Sequence, residues 1–133
     1  MLSFDVNWIA IIIALVINMI IGAVWYGIFA DPWMQSVGKT REEIQADQDW
    51  KAYGVAGLNS LIMPFIMANV LNWAGASGIV PGLTVGLIVW LGFMAMPQAT
   101  NYAFAGHPRN LWFVDSGYHL VSFLVIGALL GVL

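Results

Sequence analysis

The chain has 133 residues, of which 61% are hydrophobic and only 8% charged. Soluble domains carry about 25% charged residues, so the deficit places this sequence in the membrane class as one domain spanning 1–133. A net charge of −3 argues against nucleic acid as a partner, and the absence of cysteine excludes disulfides, thiolate metal sites and a cysteine nucleophile.

The opening MLSFDVNW lacks a basic stretch and runs straight into an apolar segment of full span length, so no cleavable signal peptide is expected. A hydrocarbon core about 30 Å thick is crossed by roughly 20 apolar residues in a helix. Four segments qualify, at 6–29, 50–73, 81–104 and 111–133. Backbone groups cannot go unpaired in lipid and the alternation of barrel strands is absent, so all four are predicted as helices. The expected fold is an all-α integral membrane protein, a four-helix bundle.

The only long polar stretch is SVGKTREEIQADQDW, in the loop at 33–49. Thr40 followed by Glu43 reads as a capping box that opens a short surface helix. Its mixed charges favour a solvated loop, with a partner-docking element as the alternative. Lys39, Arg41 and Lys51 flank this loop, Arg109 lies between spans three and four, and the termini and the second loop carry no basic residue. The positive-inside rule therefore predicts both basic loops on the cytoplasmic side and both termini outside. Trp8, Trp25, Tyr26, Trp50, Trp73 and Trp112 sit near span ends, at the level that amphipathic rings prefer; Trp90 falls mid-span and reads as packing.

WYGIFADP (25–32) and NYAFAGHP (101–108) resemble each other. Tyr26 aligns with Tyr102 and Pro32 with Pro108, each pair 76 positions apart. Tandem duplication of a two-span hairpin is the reading; ordinary aromatic span ends followed by a helix-stopping proline are the alternative.

Polar residues inside the spans are costly and mark pairs, pathways or pockets. In span four Asp115, Tyr118, His119 and Ser122 recur on one helical face. Gln98, Asn101 and Tyr102 form a stripe on span three, Asn59 and Ser60 lie in span two, and span one contributes Asn18, Gly22, Trp25 and Tyr26. Apart from Asn18, these sit in the cytoplasmic half and predict one polar cluster, with His119 as the nearest partner for Asp115. Three roles fit: a helix-clamping network, a protonatable site, or a ligand pocket. Pro64 and Pro97 free the carbonyls of Ser60 and Phe93 and predict kinks nearby.

Small residues recur elsewhere. Gly82 with Gly86 and Gly127 with Gly131 make GxxxG pairs, and Ala23 with Gly27 makes a small-xxx-small pair. Such faces are expected to pack helices, within the bundle or between copies. The seven methionines read as adaptable filler.

No metal and no cofactor is expected. His107 lies in a loop, His119 lies in a span, and neither has a cluster of acidic ligands beside it. No nucleophile elbow, P-loop or dinucleotide fingerprint is present, so an enzyme is the weakest class. Four-span proton-coupled exporters share the span count but rely on an acid deep in span one, where this chain has Asn18.

The stretches WYGIFADPWMQSVG (25–38) and NYAFAGHPRNLWFVDSGYHLV (101–121) resemble the domain of unknown function 1761 family of small bacterial membrane proteins. Trp25, Tyr26, Gly27, Trp33, Met34, Asn101, Tyr102, Gly117, Tyr118 and His119 match that pattern; Asp115 departs from it. The resemblance implies a four-helix membrane fold, a bacterial inner membrane and no assigned activity. The favoured functional reading is a non-enzymatic membrane protein that self-associates or serves as an accessory subunit beside the lipid bilayer. The alternative is a small transporter or channel using the polar cluster for a small-molecule ligand of unknown kind.

Overall fold

The computed structural model describes residues 1–133 and contains helices and turns only. Helix α1 (Trp8–Ile28) begins at Asn7, whose side chain accepts the Ala10 N–H at 3.1 Å. That cap satisfies one of the four orphan donors of a helix start. At Phe29 the chain pivots into α2 (Ala30–Val37) and ends it on Gly38 in the left-handed conformation (φ 71°). Thr40 then caps α3 (Arg41–Asp47), its Oγ1 accepting the Glu43 N–H as the capping box requires. Asp49 caps α4 (Trp50–Trp73) by accepting from the N–H groups of Lys51 and Ala52. The third span is α5 (Ile79–Trp90), a π-turn (Leu91–Ala95) and α6 (Met96–Ala105); the fourth is α7 (Arg109–Val132). Four helical stretches are thus long and apolar enough to cross a membrane, at Trp8–Ile28, Trp50–Trp73, Ile79–Ala105 and Arg109–Val132.

The sequence reading ends span one at residue 29 and offers Pro32 as a helix stop only in its alternative; the structure carries Pro32 inside α2. Proline stops a helix only in its interior. Here it falls in the first turn of a new helix, where its missing N–H has no intrahelical acceptor to lose. Pro64, by contrast, is buried inside α4, which runs on through it. Pro97 is accommodated by the π-turn: the Met96 N–H reaches back five residues to the Leu91 carbonyl, a widening just ahead of the proline ring.

Helix α7 is the hub, packed against α5, α1, α4 and α2. Its closest neighbour is α5. Gly82 and Gly86 face Gly127 and Gly131 so tightly that a Cβ on any of the four would collide with backbone opposite. The Gly78 N–H also donates to the Gly131 carbonyl at 2.7 Å. The GxxxG faces therefore meet each other inside the chain and are not free to join two copies. The pair Ala23 and Gly27 does not pack helices at all. Both residues are exposed, and nothing lies within 4 Å of where a Gly27 Cβ would sit, because α1 and α4 diverge at that level. Away from that divergence, Ile11, Ala14, Met67 and Ile126 form the buried apolar core.

Residues 1–7 dock on the far end of α4. The Ser3 N–H donates to Asn69 Oδ1 at 2.7 Å, Asn69 returns a bond to the Ser3 carbonyl, and the Trp73 indole donates to the Met1 carbonyl. Phe4 and Trp8 pack their rings on Phe65.

Candidate functional site: a bridged carboxylate, a three-helix clamp and a cavity

The sequence predicts one polar cluster; the structure divides its members among three places. The first is centred on Asp115. Tyr26 of α1 donates its hydroxyl to Asp115 Oδ1 at 2.7 Å, and Tyr102 of α6 donates to Oδ2 at 2.7 Å. The tyrosines of the two similar stretches at 25–32 and 101–108 thus grip the two oxygens of one carboxyl group. Gln98 lies behind, its amide nitrogen 3.5 Å from the Tyr102 hydroxyl and its Oε1 buried without a partner. No cation approaches Asp115, since the only ion pairs are Lys39–Asp47 and Arg41–Asp31, both in the loop. The arrangement is a carboxyl group held on both oxygens by hydroxyl donors, with no cation beside it.

His119 is not the partner that the one-turn spacing suggested. Its ring lies against Tyr118, with centroids 4.8 Å apart, and Asp115 is satisfied from α1 and α6 instead. Spacing along one helix reports which residues share a face and is blind to hydroxyls arriving from other helices. Asn101 is exposed and stands apart from the set.

Three indoles lock the same region. Trp25 donates to the Val114 carbonyl at 2.8 Å, Trp90 to Ser116 at 2.9 Å and Trp112 to Ala95 at 3.0 Å. Each links a different turn of the bundle. Gly117 makes room for the first: a Cβ there would stand 2.7 Å from Trp25 Cζ2.

The second place lies deeper. Asn18 of α1 donates to Ser60 Oγ of α4 at 2.9 Å and accepts from the hydroxyl of Ser122 on α7. All three are buried. One amide thereby ties three spans together. Asn18→Ala removes both bonds and strands two hydroxyls, so a loss of about 2 kcal/mol of stability is expected in reversible unfolding from mild detergent.

The third place is a cavity of about 790 Å³ where α1 and α4 diverge, covered by α2 and α3. Ala23, Gly27, Ala52 and Ala56 leave it open because none carries more than a methyl group toward the gap. Met19, Met34 and Ile44 give it apolar walls. Asn18 and Ser60 lie at its floor, Asn59, Tyr26 and Tyr118 along it, and Arg41, Gln45 and Gln48 of α3 at its mouth. Tyr26 therefore belongs both to the Asp115 grip and to the cavity wall. Pockets that hold small molecules span about 300–1,000 Å³ and combine apolar walls with a few polar groups. This one has that size and texture.

Tyr26, Asn59, Ser60 and Tyr118, which the sequence groups in one polar cluster with Asp115, line this cavity; the contribution of α3 was missed, because Arg41 read only as an orienting charge. The Thr40 capping box held the signal, since it fixes which residues begin that helix and hence which face the bundle.

These features define a small four-span helical membrane protein with a bridged carboxylate and a cavity at its basic end. A family model described as "Protein of unknown function (DUF1761)" matches residues 9–131, and the chain belongs to that family. No curated protein and no solved structure matches it.

Proposed function

We propose that this chain is a non-enzymatic membrane protein that binds a small amphipathic molecule in the cavity between α1 and α4, in the manner of a carrier or transporter. The observation that carries the reading is the half-open cavity itself, bordered by its own short helices and furnished with polar groups from three spans. Its lining holds no carboxylate, imidazole or thiol, so its chemistry is burial and hydrogen bonding. The glycine faces, which would be the natural seam for self-association, are consumed between α5 and α7, and this favours ligand binding over assembly. In this reading the mouth faces the cytoplasm of a bacterium, because Lys39, Arg41, Lys51 and Arg109 all lie at that end of the bundle.

Native mass spectrometry after gentle extraction tests it. The wild-type chain should retain a non-covalent small molecule. Ala56→Trp should lose it, because an indole placed on that open wall fills the space without touching the core. Equal retention by both proteins would sink the proposal.

A further inference from the structure

The cavity has a sign. Arg41 is the only charged side chain that lines it. Its nearest acid, Asp31, stands 3.9 Å from Nη2, beyond hydrogen-bond range, and both groups are solvent-exposed. The neighbouring cations are spent elsewhere: Lys39 donates to Asp47 at 2.8 Å, and Lys51 lies over the Trp50 ring, 5.8 Å from its centroid. A guanidinium offers five donors in a planar fork that matches carboxylate and phosphate, and here it has only a long, exposed ion pair with Asp31 and no hydrogen bond.

Beside Arg41 the lining combines polar Gln45 and Gln48, apolar Met19, Met34, Ile44 and Ala56, and the amide of Asn59 from α4. Asn59 is an exposed residue of α4 within the second span and lines the cavity. From the level of Trp50 to Asn59 is about 13 Å along α4 at 1.5 Å per residue.

We infer that the occupant is an amphipathic anion, with a carboxylate or phosphate head on Arg41 and an apolar body running about 13 Å toward Asn59. This rests on the ligand-binding reading above and adds the charge and polarity of the ligand. The same chemistry has two sources: the headgroup and chain of an anionic membrane lipid, or a free fatty-acid-like anion.

The test uses the full chain in phosphatidylcholine nanodiscs and a fluorescent probe, 11-(dansylamino)undecanoic acid, beside its uncharged methyl ester. Wild type should bind the acid about tenfold more tightly than the ester, the discrimination expected of one charge-assisted contact. Arg41→Gln should erase that preference while leaving ester binding intact, and Lys39→Gln should keep it. Ala56→Trp should lose both ligands. Adding phosphatidylglycerol to the nanodiscs then assigns the source. Displacement of the acid from wild type marks a lipid, and undisturbed binding marks a free anion. Equal affinity for acid and ester, or a preference that survives Arg41→Gln, overturns the anion while Ala56→Trp still supports the cavity. Probe binding untouched by Ala56→Trp overturns the cavity reading itself.

Discussion

Gly86→Leu should prevent the bundle from assembling. A Cβ at Gly86 would stand 3.0 Å from the Phe123 carbonyl carbon and closer still to its oxygen, so the obstacle is backbone and cannot rotate away. The rest of a leucine would force α5 and α7 apart along the seam where Gly82, Gly127 and Gly131 also meet. Overpacking a core commonly costs about 1–3 kcal/mol, and the loss here should reach or exceed the top of that range, since the hub helix loses its main neighbour. The measurement is the unfolding free energy in mixed micelles, with Gly54→Leu as the control. Gly54 is an exposed α4 residue with nothing within 4 Å of a Cβ, and its replacement should stay within about 0.5 kcal/mol. Similar behaviour of the two variants would show that the seam is not as close as described.

The second large effect concerns Asp115, and its sign depends on what is removed. Tyr26→Phe or Tyr102→Phe alone deletes one of two bonds to the carboxylate and should cost about 1.5 kcal/mol. Together they leave a half-buried carboxyl group with neither donor nor cation, and a loss of about 3 kcal/mol is expected. Adding Asp115→Leu to the double variant should restore most of that loss, because the unpartnered carboxyl group disappears with its donors. A triple variant as unstable as the double would mean that the tyrosines stabilise the bundle by packing alone.

Hydropathy made the spans legible. The second matches residue for residue at Trp50–Trp73, and the others agree within two or three residues at each end. Apolar length is a one-dimensional property and survives projection onto a sequence. The Thr40 cap was legible for a similar reason, since donor and acceptor lie three residues apart. What stayed hidden was relational. Asp115 is served by hydroxyls that are 89 and 13 residues away in the chain. The likeness of WYGIFADP and NYAFAGHP aligned Tyr26 with Tyr102, but carried no sign that both reach one side chain. Helix α2 was hidden because Pro32 carries the same letter whether it stops a helix or starts one. The cavity was hidden because it is made by residues that do not touch, and Ala23 and Gly27 read as a packing face when they are an opening.

The π-turn at Leu91–Ala95 does more than make room for Pro97. It works as a phase shifter between two halves of one span. At 3.6 residues per turn an uninterrupted helix would put Tyr102 about 160° around the axis from Gly86; one extra residue in a wide turn brings that to about 60°. The upper half can then present bare backbone to α7 while the lower half swings a phenol toward the same helix. Contact and chemistry on this span are therefore indexed separately, and the two can diverge over evolutionary time without either dictating the other's register.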